Sequence, residues 1–136
     1  MATYLVTGGA GFIGSHLVEA LVARDEKVRV VDNLVTGRRE NLDQAAGVEL
    51  TVGDLADSAV ADHVVKGVDY AIHLAAAPSV SRSIADPIGS HKDNVSATLS
   101  LLSAAKRHRV RRVVFASSSA IYGNTAVSYT HLRAHE

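Results

Sequence analysis

The sequence predicts an α/β fold in which helices cover both faces of a doubly wound parallel sheet of about five strands. Two observations support this prediction. Five short apolar runs alternate with longer segments of helical spacing, and a glycine-rich turn joins the first run to the first helix. Because strands joined through helices form right-handed crossovers, we expect the strands to be parallel. The runs are TYLVTG, KVRVVDN, VELTVGD, YAIHLAAA and RVVFASSS.

Three segments between these runs have the apolar spacing of helices. The first, FIGSHLVEALVARD, places on one face Ile13, Leu17, Leu21 and Val22. The second, LADSAVADHVVKG, is short and amphipathic. The third covers residues 88–108 and carries at helical spacing Val95, Leu99, Leu102 and Ala105. We expect APSVSRSIADP, before the third helix, to form a loop.

The composition favours a soluble cytoplasmic protein of one domain. A length of 136 residues suits a single domain, and 47% apolar content is typical of a globular chain. The net charge of zero gives no field that would attract nucleic acid or an anionic membrane, and the absence of cysteine excludes disulfides and thiolate chemistry. The start, MATYLVTGG, lacks the regions of a signal peptide, and no apolar run is long enough to span a bilayer.

The stretch VTGGAGFIGSH places Gly8, Gly11 and Gly14 directly after a predicted strand and at the start of a helix. Glycines in such a turn allow close approach to a pyrophosphate, and the helix N-terminus offers free N–H groups. At the end of the second strand, Asp32 can accept hydrogen bonds from both hydroxyls of an adenine ribose and would repel a 2′-phosphate. The pattern therefore predicts a Rossmann-type site that prefers NAD to NADP.

Two alternatives stay open at this site. The glycines could serve packing alone, with Asp32 as a solvated strand end. Arg38 and Arg39 follow closely and could bind a 2′-phosphate, which would favour NADP.

Six sequence blocks, in order from Thr3 to about Thr125, are more specific than the glycine turn alone. They are TGGAGFIGSH, VVDNLVTGRRENL, GDLAD, IHLAA, DNVSATLSLLSAA and ASSSAIYG. With them the sequence resembles the extended short-chain dehydrogenase/reductase family, in the NAD-dependent epimerase/dehydratase branch typified by UDP-glucose 4-epimerase. The resemblance implies NAD as cofactor, a nucleotide sugar, in first place a UDP-sugar, as substrate, and a homodimer for the full-length protein.

The resemblance also implies which residues bind the cofactor. The pyrophosphate turn corresponds to Gly8, Gly11, Phe12, Ile13 and Gly14. The contacts with the adenosine ribose correspond to Asp32 and Asn33, with weaker ones at Thr36 and Gly37. The adenine is read by Asp54 and Leu55, and the segment beside the cofactor is Leu74, Ala75 and Ala76. Asn94 lies near the cofactor on a helix. The alternatives are a polar strand end with a helix cap for Asp54 and an ordinary surface amide for Asn94.

The serine row is implied to belong to the active site. Aligned on the YG pair, Ser118 takes the place of the family's catalytic Ser/Thr, which hydrogen-bonds the sugar hydroxyl that loses its proton. Ser117 and Ser119 flank it, and the alternative is a strand end whose hydroxyls bind local backbone groups. Ser79 and Val80 are weaker candidates for contacts with the sugar nucleotide.

In this family a tyrosine phenolate takes the proton of a sugar hydroxyl while hydride leaves the same carbon for the cofactor. A lysine four residues later lowers the pKa of the tyrosine, because an ordinary phenol of pKa about 10 is a poor base at neutral pH. The tyrosines here are Tyr4, Tyr70, Tyr122 and Tyr129. Four positions after them stand Gly8, Leu74, Ala126 and Arg133. Arginine is a poor substitute for that lysine, so we expect the chain alone to be inactive.

The final stretch, VSYTHLRAHE, back-translates into a string that matches the transposon-end adapter used to tag DNA for sequencing. We therefore expect residues 126–136 to be a non-native read-through tail. Residues 1–125 would be an incomplete NAD-binding Rossmann domain, truncated before the later strands and the substrate domain. On this hypothesis His131 and His135 form no metal site, and RVVFASS is left as an apolar sheet edge. Low solubility and weak NAD binding would follow.

Other functions stay open beside that of an epimerase. A dehydratase, decarboxylase or reductase of the same family would share these blocks, although DNLVTGRRENL and PSVSRS look most like epimerases of UDP-sugars. A non-catalytic NAD-sensing module would keep the fold, but the serine row argues against it. An RNA-binding domain would use the basic run KRHRVRR, whose simpler interpretation is a helix C-terminus followed by a solvated loop.

Overall fold

The computed structural model describes residues 1–122, and in them five parallel strands form one sheet. The strands are β1 (Thr3–Thr7), β2 (Lys27–Asp32), β3 (Glu49–Val52), β4 (Tyr70–His73) and β5 (Arg112–Phe115). Each strand lies within one of the five apolar runs, so the predicted doubly wound parallel sheet is confirmed.

The strand order is β3-β2-β1-β4-β5, which makes β1 the central strand. The last residue of β1, Thr7, is in register with Val31 of β2 on one side and with His73 of β4 on the other. The chain leaves β1 towards β2 and later returns on the far side as β4, so the connections diverge at the carboxyl end of β1. Such a switch point opens a crevice, where ligands bind in folds of this kind.

Helices cover both faces of the sheet. They are α1 (Phe12–Val22), α2 (Ser58–Val65), α3 (Val80–Ala85), α4 (Pro87–His91) and α5 (Ala97–Arg107). A π-helical turn, Lys92–Ser96, joins α4 directly to α5, and short 3-10 turns lie at Arg39–Leu42 and Ser119–Tyr122. The helix expected over residues 88–108 is therefore confirmed as three consecutive helical pieces.

The stretch expected to be a loop, residues 77–87, is partly helical, and this expectation was wrong. Helix α3 occupies its middle, and Ser79 caps it because the Ser79 hydroxyl oxygen accepts the N–H of Arg82 at 3.2 Å. Near the end of this stretch, Asp86 caps α4 by accepting the N–H of Gly89 at 2.9 Å. Capping side chains therefore turn a polar stretch with little apolar periodicity into two short helices.

The core consists of two apolar clusters, one on each face of the sheet. The cluster under α2 and α5 includes Leu5, Val31, Val64, Val65 and Leu101. The cluster under α1 includes Val6, Val18, Leu21, Val28 and Val30. Burial of this apolar area is the main favourable contribution to folding.

The face that α5 turns to the core is not its most apolar face. Val95, Leu99 and Leu102 are 53%, 64% and 46% exposed, whereas the buried residues are Ala97, Leu101, Ala104 and Ala105. Small side chains on the inner face let the helix pack closely against α2 and the sheet. The predicted spacing thus identified the helix, but its larger apolar residues lie on the surface.

Ile13, in the first turn of α1, is exposed as well, at 70%. Val18 and Leu21 supply the buried contacts of α1 instead.

Strand β5 forms one edge of the sheet in the described residues. Its Val114 and Phe115 are 51% and 59% exposed, so the edge is apolar. Apolar sheet edges promote association with other chains. None of the helices within residues 1–122 has the length and hydropathy needed to cross a bilayer.

Substitution of the two leucines of α5 tests which face of the helix supports the fold. Leu101 is fully buried, so Leu101→Ala should lower the free energy of unfolding by about 2–5 kcal/mol. Leu99→Ala makes the same chemical change on the exposed face and should cost less than about 0.5 kcal/mol. Urea denaturation followed by circular dichroism measures both. Equal losses for the two variants would contradict the assignment of faces.

Candidate cofactor site

A cleft of about 540 Å³ lies at the carboxyl ends of β1 to β4, at the switch point. Residues predicted to bind the cofactor supply much of its wall. Those that line it are Gly8, Gly11, Asp32, Asn33, Thr36, Asp54, Leu55, Leu74, Ala75 and Ala76. The structure therefore brings together side chains and backbone from the ends of four neighbouring strands.

The glycine turn brings the start of α1 to this cleft. Gly11 is the N-cap of α1 in extended conformation, with φ −78° and ψ 177°, and among the described residues no side chain caps this helix end. The first turn of a helix leaves its N–H groups without helical partners, here those of Phe12, Ile13 and Gly14. Phe12 and Ile13 are 80% and 70% exposed and do not line the cleft, so what they can offer a ligand is their backbone N–H. Such a helix end favours an anion.

Glycine is required at two positions of the turn. Gly8 has φ +68°, and a Cβ there would lie 2.9 Å from the backbone nitrogen of Ala75. A Cβ on Gly14 would overlap the carbonyl oxygen of Gly8. The turn is thus packed directly against the end of β4 and the start of α1, and no larger residue fits without a backbone shift.

Asp32 is held in place by the backbone around it. Its Oδ2 accepts the N–H of Ala10 at 3.0 Å and its Oδ1 accepts the N–H of Leu34 at 2.8 Å, and the residue is only 8% exposed. Gly37 does not line the cleft but packs on this carboxylate, since a Cβ there would lie 2.9 Å from Asp32 Oδ1. Each carboxylate oxygen keeps a lone pair that can accept a hydroxyl.

The residues after Asp32 form the rim of the cleft. Asn33 is exposed, and its Oδ1 accepts the N–H of Val35 at 3.1 Å. Thr36, Arg38 and Arg39 are exposed as well. Arg38 donates its backbone N–H to the carbonyl of Ala10 at 3.0 Å, which ties this rim to the glycine turn.

Asp54 follows β3 and carries an ion pair. Its Oδ2 lies 2.7 Å from the Nζ of Lys92, and its Oδ1 accepts the N–H of Ala56 at 2.8 Å. The hydrogen bond from Lys92 holds the pKa of Asp54 below its ordinary value, so this carboxyl group is ionised at neutral pH. The cap of the following helix α2 is Asp57 and not Asp54. The neighbouring Leu55 is buried and lines the cleft.

A hydrogen-bonded chain fixes the small-residue segment after β4. The Thr7 hydroxyl oxygen accepts the N–H groups of Leu74 and Ala75 at 3.2 and 3.1 Å, and lies 2.6 Å from His73 Nδ1. We assign the Thr7 hydrogen to His73 Nδ1, so the other ring nitrogen, Nε2, donates to the Thr98 hydroxyl at 2.9 Å. Thr98 donates in turn to the carbonyl of Asn94 at 2.6 Å. Burial lowers the pKa of His73, which keeps the ring neutral.

Asn94 does not line the cleft and instead positions the loop that does. Its Oδ1 accepts the N–H of Ala77 at 2.8 Å, and its Nδ2 donates to the carbonyls of Ala77 and Ser90 at 3.3 and 3.0 Å. Ala77 lines the cleft next to the predicted Ala76. The side chain of Asn94 is therefore a structural link between the π turn and the cleft wall.

Ser118 is exposed and lies outside the residues that line the cleft. Its hydroxyl oxygen accepts the N–H of Ala120 at 3.2 Å, and its carbonyl accepts the N–H of Ile121 at 3.3 Å. This is the local bonding of a strand end that the sequence analysis left as the alternative. The hydroxyl hydrogen is still available to donate, so the catalytic role of Ser118 stays a prediction.

The cleft also includes residues that sequence reasoning missed as cofactor contacts. They are Val31, Val35, Gly53, Ala77, Pro78, Ser79, Arg82, Asp93 and Ala97. Five of them are direct neighbours of predicted residues and could have been found by extending each motif by one position: Val31, Val35, Gly53, Ala77 and Asp93. The other four had no such signal. Arg82 is one of these, and its ion pair with Asp93 at 2.6 Å joins α3 to the π turn. Val80, the other weak candidate, is 79% exposed and does not line the cleft.

Side chains of the basic run pair with acidic residues within the fold. Arg107 and His108 both contact Asp62, and Arg111 pairs with Asp69, so part of the run is used within the fold. Within residues 1–122 no three metal-ligating side chains cluster. His131 and His135, the Tyr129–Arg133 pair and the proposed tail all lie outside the described residues.

Comparison with known proteins identifies the family. The profile of the NAD dependent epimerase/dehydratase family matches residues 4–134. The chain belongs to this family. Its sequence is 38% identical over 121 residues to the UDP-glucose 4-epimerase of Azospirillum brasilense, covering 88% of this chain and 34% of that protein. It is 39% identical over 123 residues to UDP-glucuronic acid decarboxylase 1 of Danio rerio, covering 90% of this chain and 29% of that protein.

A solved structure from the family has the same fold. The UDP-glucose 4-epimerase of Thermus thermophilus, in complex with NAD, superposes with a TM-score of 0.78 at 41% identity. The match covers 86% of this chain and 38% of that chain. The chain thus spans about a third of the length of these family members, and the part it spans is the part that carries the cleft.

The neutral state of His73 predicts how stability depends on pH. Because its pKa is lowered in the fold, the unfolded chain binds a proton first as the pH falls below about 6.5. Protonation therefore favours the unfolded state. The stability that the neutral His73 ring contributes is fully present above pH 6.5 and is lost as the pH falls towards the lowered pKa of the folded protein. Urea denaturation between pH 7.5 and 5 should show this loss, and His73→Gln should show a smaller one. Parallel pH profiles for the two proteins would contradict the prediction.

Proposed function

We propose that the chain is the NAD-binding part of a nucleotide-sugar epimerase of the UDP-glucose 4-epimerase type. The observation that carries the proposal is the order of groups along the cleft. An uncapped helix end, which suits an anion, lies beside β1, and a backbone-held carboxylate with free lone pairs, Asp32, lies one strand away. These are the groups that a pyrophosphate and an adjacent ribose require.

The dinucleotide would bind across the strand ends in that order. The N–H groups of Phe12, Ile13 and Gly14 would bind the pyrophosphate. Asp32 would accept the ribose hydroxyls, with Asn33, Thr36 and Gly37 around them, and Asp54 and Leu55 would contact the adenine. The segment Leu74–Ala76 would lie beside the rest of the cofactor, for which the small side chains of Ala75 and Ala76 leave room, and Asn94 would hold this wall in place. When bound, NAD supplies an acceptor for the hydride of the sugar carbon that is transiently oxidised.

Ser118 would hydrogen-bond the sugar hydroxyl that loses its proton. This role is proposed from the family resemblance and from the position of Ser118 after β5, at the carboxyl ends of the strands, where the cleft also lies. The sequence contains no tyrosine with a lysine four positions later. We therefore propose that this chain by itself does not catalyse the reaction, and that residues 1–125 are the incomplete NAD-binding domain of a longer enzyme, followed by a non-native tail.

A nucleotide-sugar decarboxylase is the second candidate. The Danio rerio decarboxylase is as similar to this chain as the Azospirillum brasilense epimerase, so similarity in this region does not separate the two reactions. Both candidates would use the same cleft and a UDP-sugar substrate. We also propose a cytoplasmic location, because NAD and nucleotide sugars are metabolites of that compartment.

Titration with the two nicotinamide dinucleotides tests the proposal. Isothermal calorimetry of the full 136-residue chain should show NAD binding, and NADP should bind at least about tenfold more weakly because Asp32 repels its 2′-phosphate. Asp32→Asn should weaken NAD binding about tenfold or more, since charged acceptors of the ribose hydroxyls are lost. This substitution should also reduce the ratio of the NADP to the NAD dissociation constant.

Asp43→Asn is the matched control, because Asp43 is exposed and does not line the cleft. It removes the same charge and should leave both affinities unchanged. Tighter binding of NADP than of NAD would instead favour the arginine alternative at Arg38 and Arg39. Binding of neither dinucleotide would refute the proposed function.

We further propose that the longer enzyme is a homodimer that uses an exposed stripe formed by Val95 of the π turn and Leu99 and Leu102 of α5. An apolar stripe of this kind is the surface that subunit interfaces bury. Sedimentation velocity of the longer enzyme should show a dimer for the wild type and a monomer for Leu99→Glu. The control is Ile84→Glu on α3, which is 78% exposed and should leave the dimer intact. A monomeric wild type, or a dimeric Leu99→Glu, would contradict the proposal.

A further inference from the structure

An ammonium group lies at one end of the cleft beside a carboxylate that faces the ligand space. Lys92 is not among the residues that line the cleft, but its Nζ reaches across to within 2.7 Å of Asp54 Oδ2, and Asp54 lines the cleft. The two side chains are 58% and 38% exposed, so the pair is partly hydrated and can rearrange at low cost. A donor and an acceptor therefore stand side by side at this end.

The order of the strands places a nucleobase at this pair, a step that rests on the proposed function. The phosphates would lie at the end of α1 beside β1, and the ribose would lie at Asp32 on β2. The next group of the dinucleotide is the base, and the next strand in the sheet is β3, which Asp54 follows. The purine edge would therefore meet Asp54 and the ammonium of Lys92 together.

A carboxylate alone and a carboxylate paired with an ammonium group favour binding of different purines. Ionised aspartate only accepts hydrogen bonds, so alone it favours the 6-amino group of adenine and repels the 6-oxo group of hypoxanthine. The ammonium of Lys92 only donates, so it can bond a 6-oxo group while Asp54 accepts the N1–H next to it. With adenine the two groups exchange places, which their partial exposure permits: Asp54 accepts the 6-amino group and the ammonium donates to N1.

We propose that Lys92 is a base-recognition residue that extends the cofactor range of this cleft from adenine to 6-oxopurine dinucleotides. Arg82, a cation that lines the cleft, is paired with Asp93 at 2.6 Å. Arg38 and Arg39 lie on the rim that follows Asp32. Lys92 is the cation in contact with Asp54, so it can offset the repulsion between that carboxylate and a 6-oxo group.

The experiment measures the dissociation constants of NAD and of nicotinamide hypoxanthine dinucleotide by calorimetry, with the full 136-residue chain. The wild type should bind the two within about tenfold of each other. Lys92→Met should weaken binding of the hypoxanthine dinucleotide at least about tenfold more than binding of NAD, because the 6-oxo group then faces a carboxylate with no hydrogen-bond donor beside it. The dissociation constant of NAD should stay within about fivefold of the wild-type value, since an ion pair this exposed contributes little to the binding free energy.

Two further variants separate recognition from a general effect of charge or folding. Lys92→Arg keeps a donor and should restore most of the hypoxanthine binding. Lys106→Met removes an exposed lysine of α5 away from the cleft and should leave the ratio of the two constants unchanged. Thermal unfolding of each variant shows that the fold is retained.

The outcomes distinguish this inference from the function on which it rests. NAD binding with a wild-type preference of more than about a hundredfold over the hypoxanthine dinucleotide would overturn the role of Lys92 alone. An unchanged ratio in Lys92→Met would do the same. Binding of neither dinucleotide by the wild type would overturn the proposed function, and the inference with it.

Discussion

The hydroxyl of Thr7 is the contact on which the cleft depends. It receives the N–H groups of Leu74 and Ala75, which are the first residues after β4, and so fixes where that strand ends relative to the glycine turn. Gly8, the next residue, lies so close to Ala75 that it tolerates no Cβ. The turn and the small-residue wall are therefore one rigid unit, and the width of the cleft between them follows from a single side chain at the end of β1.

The charges around the cleft are arranged to receive a ligand that carries both phosphates and hydroxyls. Backbone N–H groups hold the carboxylates of Asp32 and Asp54 in place, and Asp54 is also paired with Lys92. The uncapped end of α1 supplies positive potential near the glycines. Asp32 lies close to this end, since its Oδ2 accepts the N–H of Ala10, next to the N-cap Gly11. The helix end therefore suits an anion, while Asp32 beside it suits a group that donates hydrogen bonds.

Local patterns predicted the strands and the glycine turn, because short-range sterics and hydrogen bonding determine them. The apolar spacing identified the helices but not which side chains are buried. Leu99 and Leu102 of α5 lie on the outside, because tight packing against α2 and the sheet selected small residues for the inner face. Ile13 of α1 and Val95 of the π turn are exposed as well. Helix α3 was missed because its signal is in the capping side chain of Ser79 and not in apolar periodicity.

Contacts between distant parts of the chain were beyond any pattern in the sequence, and several of them meet at the π turn. Three consecutive side chains there contact three different segments: Lys92 reaches Asp54, Asp93 reaches Arg82, and Asn94 bonds the backbone of Ala77. A π turn widens the helix by an added residue, and here successive side chains diverge to both sides of the cleft.

The sequence predicted an unbroken helix over this region because the apolar spacing on either side hides the irregular turn. Its position beside the cleft explains why Asn94 matches a family motif without lining the site. The amide holds the wall, while its neighbours Lys92 and Asp93 contact side chains that face the ligand space. Substitutions at those two positions could therefore alter ligand choice without disturbing the wall that Asn94 maintains.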